Sequence, residues 1–229
     1  MGAIYLIRHG QASAGKRDYD QLSPMGIEQS ERLGEALRTR IGTPDRVICG
    51  DMKRHRQTAH YSLAPMGQGN AWETDARWNE YDHEDLIVRH KPLYASRALM
   101  LADLARTLKP RIAFQAMFEE ALQRWTSGRH DPEYKEAWPA FQQRISAGLR
   151  ELIDSGRSKN TLVYTSGGVI STVVQQLWQM PDAEWQKLNR IIANATVTKV
   201  VFGSSGSFLS TFNEHSHFEG EHQHLLSYR

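Results

Sequence analysis

The chain has 229 residues, 40% hydrophobic and 24% charged, and carries a net charge of +2 from 28 basic and 26 acidic side chains. A chain this long buries roughly 70% of its unfolded surface, so it needs no disulfide or metal staple, and a single cysteine, Cys49, permits no internal disulfide. Near-balanced charge with no run of five or more Lys or Arg argues against a nucleic-acid partner, and the absence of 18 consecutive apolar residues argues against a membrane span. The apolar run near Met1 is too short for a secretory signal and has no basic segment before it. The expectation is a cytoplasmic protein of one domain, residues 1–229, with no internal repeat.

In chain order, residues 3–7 (A-I-Y-L-I) form a continuous apolar run, the pattern of a strand buried on both faces of a parallel sheet. Ser23-Pro24 is a helix start, with serine as N-cap and proline in the first turn. Ser30, Leu33, Leu37 and Ile41 then share one helical face until Gly42 stops it. Residues 45–49 predict a second strand, 52–63 a helix ended by Ala64-Pro65, and 72–74 a short third strand. Residues 84–156 read differently: helices are predicted over 92–107, 114–125 and 133–153, with few strand signals. Residues 161–165 (T-L-V-Y-T) predict another buried strand, which runs through Ser166-Gly167-Gly168 into an apolar helix rowed by Val169, Val173 and Leu177. Residues 195–202 and 207–212 predict a hairpin around Gly203-Ser204-Ser205-Gly206. From Asn213 the sequence is polar and His-rich and reads as a solvated tail.

Strands alternating with helices at both ends predict an α/β fold: a three-layer sandwich with a mostly parallel mixed sheet flanked by helices. A helical cap insertion interrupts it at about 84–156. In such sheets ligands bind beyond the carboxyl ends of the strands. The residues of interest therefore follow strands directly: Arg8-His9-Gly10, residues 49–54, the stretch near Glu80, and Ser166-Gly167-Gly168.

Four short motifs fall at these places. They are Arg8-His9-Gly10; Leu22-Ser23-Pro24-Met25-Gly26 with Gln29; Arg54-His55-Arg56-Gln57-Thr58-Ala59; and Trp78-Asn79-Glu80. Together, in this order, they resemble the histidine phosphatase superfamily, the phosphoglycerate-mutase-like group, over residues 3 to about 212. Residues 141–152 also resemble the helix before that family's penultimate core strand. The resemblance implies that His9 attacks phosphorus and becomes a phosphohistidine. It implies that Glu80 protonates the leaving oxygen and later activates water, and that Arg8, Arg54, Ser166 and Gly167 bind phosphate. No cofactor and no metal are implied. The chemistry is consistent on its own terms. A phosphate dianion is matched bidentately by guanidinium groups, helix N-termini present N–H groups to anions, and phosphoryl transfer is mainly positioning plus charge stabilisation.

One motif departs from the resemblance. The family's second histidine is expected in a His-Gly-Gly-like turn after the penultimate core strand, and here the turn reads Ser166-Gly167-Gly168. Serine donates one hydrogen bond and carries no charge. His55, His83, and His215 or His217 are the candidates to take the missing group's place. The leading expectation is a metal-independent phosphatase acting on a small phosphorylated substrate through a phosphohistidine. The alternatives are a phosphoglycerate-type mutase and a degenerate, non-catalytic module that binds phospho-ligands or a protein. A homodimer through an edge strand stays open.

Overall fold

A computed structural model describes residues 1–13, 19–155 and 159–228. The first apolar run forms β1 (Gly2–Arg8), followed by β2 (Arg46–Cys49), β3 (Glu73–Thr74), β4 (Asn160–Thr165), β5 (Val197–Gly203) and β6 (Gly206–Glu214). They make one sheet in the order β3-β2-β4-β1-β5-β6. The first four strands of that order are parallel; β5 runs antiparallel to β1, and β6 antiparallel to β5. The hairpin between β5 and β6 turns at Ser204-Ser205, where Gly203 pairs with Gly206. The helices are α1 (Pro24–Arg40), α2 (Lys53–Leu63), α3 (His83–His90), α4 (Arg97–Ala105), α5 (Pro110–Thr126), α6 (Trp138–Ser155), α7 (Gly167–Leu177) and α8 (Trp185–Ile191).

The pleat of β1 sets the three layers, because successive side chains point to opposite faces. Ile4 and Leu6 enter one core with Val163 and Val200, while Ile7 enters the other with Leu162, Tyr164 and Val197. Helices α6 and α7 cover the first face through Ile145, Leu149, Val169 and Val173. Helices α1 and α2 cover the second through Leu33, Leu37, Ala59 and Leu63. Each fully buried leucine among these contributes about 1.5–3 kcal/mol.

Helix α1 starts as its sequence requires: the Ser23 hydroxyl accepts from the Gly26 N–H, Pro24 occupies the first turn, and Gly42 takes a φ of +70° just beyond the end. The expected helix over 92–107 is instead divided. A 3₁₀ turn over Pro92–Ala95 ends at Ser96, whose extended backbone caps α4. The expected helix over 133–153 begins only at Trp138, after a separate 3₁₀ turn over Asp131–Glu133. The short helices α3 and α8 were not expected. The largest correction is the segment after Asn213. It does not lie in solvent but folds back as 3₁₀ turns that bury His217, Phe218 and Leu225 against α1 and β5. Gln29 in α1 donates to the Leu225 carbonyl at 2.6 Å and fixes this return.

The chain leaves β1 toward α1 on one face of the sheet, and leaves β4 into α7 on the other. Diverging connections from two adjacent parallel strands open a crevice at their carboxyl ends. Arg8 and His9 stand at one lip of it and Ser166 at the other.

Candidate active site

His9 follows β1 and is buried. Its Nδ1 lies 2.7 Å from the Gly10 carbonyl, which can only accept, so Nδ1 carries the proton and Nε2 keeps its lone pair. Burial first, then the Arg54 and Arg8 charges, hold His9 well below the usual imidazole range. The ring is therefore a neutral base of fixed tautomer. Its backbone is tied on both sides: the His9 N–H donates to Thr165 in β4, and its carbonyl accepts from the Ala195 N–H and Asn194 Nδ2.

The charges of two guanidinium groups act on it. Arg54, in the first turn of α2, is 4% exposed and donates from Nη1 to Asp20 Oδ1 at 2.7 Å. Arg8 donates from Nη1 to the Ile192 carbonyl. The Nε–H of each arginine is buried with no acceptor among the described residues. A buried orphan donor costs about 1–3 kcal/mol, more when charged, and an oxyanion seated beside His9 would recover that cost.

Glu80 lies across from these cations. Its Oε2 accepts from the Gly168 N–H in the first turn of α7 at 3.0 Å, and its Oε1 from the Tyr81 N–H at 3.3 Å. Burial raises the Glu80 pKa; the Gly168 hydrogen bond and the charges of Arg54 and Arg8 oppose the rise without cancelling it. A carboxyl held this way is suited to carry a proton and deliver it.

Ser166 caps α7 and is fully buried, and its Oγ lies 2.6 Å from His55 Nε2. The His55 and His9 ring centres are 5.8 Å apart. His55 is held well below the imidazole range by burial first, then by Arg54 and Arg56. Arg8 lies beside the start of α7: a Cβ on Gly167 would make an ordinary contact with Arg8 Nε at 3.5 Å, whereas it would crowd Asn189 Oδ1 at 2.9 Å. His83 begins α3 and faces Tyr19, with ring centres 5.6 Å apart. Its pKa is lowered by burial and then by Arg54. His215 and His217 lie elsewhere. His215 Nδ1 donates to the Asn213 carbonyl and His217 Nε2 to the Ala195 carbonyl. Among the described residues, no three His, Cys, Asp or Glu side chains are grouped to hold a metal ion.

The crevice thus brings together Arg8, His9, Arg54, Glu80, Ser166, Gly167 and His55, with His83 at its side. Sequence reasoning missed the residues that hold them. Thr58 Oγ1 accepts from the Gly10 N–H at 3.0 Å and donates to the Arg54 carbonyl at 2.8 Å. Gln29 Oε1 accepts from the Gln11 N–H and Gln57 Oε1 from the Leu22 N–H. These three lie inside the quoted motifs, whose spacing pointed to them without giving their task. Asp20 and Asn194 carry no such signal.

Cations gathered around a neutral histidine at the carboxyl ends of a parallel sheet suit a phosphoryl-bearing anion. Family comparison agrees with this class of site. The chain belongs to the histidine phosphatase superfamily (branch 1), whose profile matches residues 4–99 and 106–215. It is 25% identical over 188 residues to the adenosylcobalamin/alpha-ribazole phosphatase of Salmonella typhi, a match that covers 79% of this chain and 81% of that enzyme. It is 36% identical over 74 residues to a broad-specificity phosphatase of Saccharomyces cerevisiae, covering 29% of this chain and 32% of that one. Among solved structures, a mutant phosphoserine phosphatase from Entamoeba histolytica in complex with phosphoserine superposes with a TM-score of 0.66 at 17% identity, covering 95% of this chain and 99% of that one. Phosphoglycerate mutase from Bacillus anthracis gives 0.64 at 21%, covering 94% of each chain. At these identities the two structures establish the α/β fold. Among the described residues, no helix is long and apolar enough to cross a membrane.

Proposed function

We propose that this protein is a metal-independent phosphatase that hydrolyses a small phosphomonoester through a phosphohistidine. The observation that carries the reading is the His9 ring: its tautomer is locked by the Gly10 carbonyl, which leaves Nε2 with its lone pair, and burial with the charges of Arg54 and Arg8 holds the ring neutral. In the first step Nε2 attacks phosphorus in line, the bond from phosphorus to the ester oxygen breaks, and Glu80 gives its proton to the departing alcohol. In the second, the Glu80 carboxylate takes a proton from water, the water oxygen attacks phosphorus, and the bond to Nε2 breaks to release phosphate. Arg8 and Arg54 bind the phosphoryl oxygens and carry the charge that builds on them. Ser166 stands where the family resemblance calls for a second histidine, and Gly167 brings the start of α7 beside Arg8. Of the expected cap, α6 belongs to the sandwich itself; residues 84–137 are assigned as the part that selects the alcohol, with His83 and Tyr19 beside the phosphate site.

The test is hydrolysis of p-nitrophenyl phosphate with a chelator present, wild type against His9→Ala. Turnover that disappears in the variant is expected. Equal turnover in both proteins, or none in the wild type, would overturn the reading. Release of inorganic phosphate from phosphoglycerate, rather than its interconversion, separates this reading from a mutase.

A further inference from the structure

We infer that Ser166 and His55 act as one unit in the phosphoryl step: the Ser166 hydroxyl donates a hydrogen bond to a non-bridging phosphoryl oxygen while keeping its proton, and His55 is the positioning residue that aims it. This rests on the phosphatase reading above and goes beyond it.

The first observation is what Ser166 does not do. It occupies the N-cap of α7 with the extended backbone of a capping residue (φ −124°, ψ 168°), yet its side chain makes no capping bond. A serine cap contributes about 1 kcal/mol, so turning its hydroxyl elsewhere gives up a local gain. The hydroxyl goes instead to His55, 2.6 Å away, and both residues are fully buried. Among the described residues Ser166 Oγ makes no other hydrogen bond.

The second observation fixes the direction of that bond. His55 Nδ1 is buried and has no hydrogen-bond partner among the described residues. It packs against Gly50, where a Cβ would overlap it, so the ring is held in place by close backbone contact. A neutral imidazole carries one proton. On Nδ1 it would be a buried N–H without an acceptor, which native proteins avoid more strictly than a buried lone pair. The proton therefore sits on Nε2, and Nε2–H donates to Ser166 Oγ. The Ser166 hydroxyl keeps its own O–H free to donate a hydrogen bond.

The third observation is place. The His55 and His9 rings are 5.8 Å apart, and the next residue after Ser166, Gly167, lies beside Arg8, whose Nε would be 3.5 Å from a Cβ placed there. A phosphoryl group on His9 Nε2, held by Arg8, is within the neighbourhood of that hydroxyl. A serine whose lone pair is occupied by an N–H is a better donor than a solitary one, because linked hydrogen bonds polarise each other. A neutral two-residue donor thus occupies the position where the resemblance calls for a single charged ring.

The experiment is a double-mutant cycle on the whole chain, with p-nitrophenyl phosphate and chelator, reading kcat and KM for wild type, His55→Phe, Ser166→Ala and the double variant. Thermal melts monitor folding. Losing one aimed donor in the transition state lowers kcat by about 10²-fold, so each single variant is expected to lose 10-fold or more in kcat with a much smaller change in KM. The double variant is expected to be no slower than Ser166→Ala, because His55 acts through the serine. His55→Gln, whose side-chain amide can reach the position of Nε2, is expected to recover most of the rate lost in His55→Phe. Wild-type kcat in either single variant overturns the inference, as does a double variant whose loss equals the product of the singles. If His55→Phe fails to fold, Ser166→Ala and His55→Gln decide alone: unchanged kcat in the first, or loss in the second equal to that of Ser166→Ala, overturns it. An active wild type with an inactive His9→Ala keeps the phosphatase reading whichever way this cycle falls. A wild type without turnover removes both.

Discussion

Glu80 shows how narrowly a single side chain is held. Its two oxygens rest on the Gly168 and Tyr81 N–H groups, and a Cβ on Gly168 would overlap both Oε1 and the Tyr81 ring. Gly168→Ala must therefore push the carboxyl off its seat while leaving His9 and the arginines in place. The expected outcome is a fall in kcat of about 10-fold or more, since a positioned acid contributes about 10²–10⁴. KM is expected to change less and the far-ultraviolet circular dichroism to stay the same; an unchanged kcat would count against Glu80 as the proton donor. At this scale much was legible in the sequence. Arg8, His9, Arg54, Glu80 and Ser166 each end a strand, begin a helix or sit in a quoted motif, and a strand end is where an open α/β sheet presents its ligand groups. Their supports were not legible. Asp20 reaches Arg54 across 34 positions of sequence and Asn194 reaches His9 across 185, and no local pattern encodes such a pairing.

Among the elements, α2 does the most for the site, since Arg54, His55 and Thr58 all lie on its buried side. Its seat depends on α1. Gly34 in α1 meets the Ser62 backbone in α2 so closely that a Cβ would overlap the Ser62 carbonyl. Backbone on both sides leaves nothing soft to give way. Gly34→Ala is expected to cost about 1–3 kcal/mol as overpacking, read as a lower urea midpoint with an unchanged m-value; an equal midpoint would show that the two helices can part freely. The core strands were readable because parallel central strands are apolar on both faces, as β1 and β4 are. The helices α3 and α8 were not. They have eight and seven residues, too few turns for a periodicity to show, and α3 opens with His83-Glu84-Asp85, a stretch that reads as loop. The division at Ser96 was hidden for a similar reason: the apolar residues on either side of it continue in a plausible helical row.

For the whole molecule, the buried histidines govern how stability depends on pH. His9 and His55 are held well below their ordinary range, and His217 falls to about 4, in every case first by burial. In the unfolded chain each binds a proton near pH 6.5, while the folded protein does not. Stability is therefore complete above about 6.5 and falls with acidification; for His217 the fall ends near 4, once the folded form binds the proton too. Glu80 has the opposite sign, because its raised pKa makes the folded state the better proton binder as pH drops. One carboxyl against these three histidines and His83, which is lowered in the same direction, leaves the histidines dominant. The melting temperature is expected to decline from about pH 7 to about pH 5, and His217→Gln to flatten part of that slope. A melting temperature that stays level over this range would show that the rings are protonated in the native state.

The place of β1 in the sheet has a consequence for how the protein comes into being. Its neighbours are β4 and β5, so Ala3 waits for Asn160 and Gly2 for Phe202. During synthesis the first strand to emerge is thus among the last to be paired. Ile4, Leu6 and Ile7 remain without their partners while the residues between are made, and no shorter nascent chain can build the sheet around His9. Such distant pairings fold slowly and leave an unpaired apolar strand open to association with other chains. For this protein the hazardous interval in the cell is the time before residue 203 is available, which makes a pause in translation within the helical segment more damaging than one after β5.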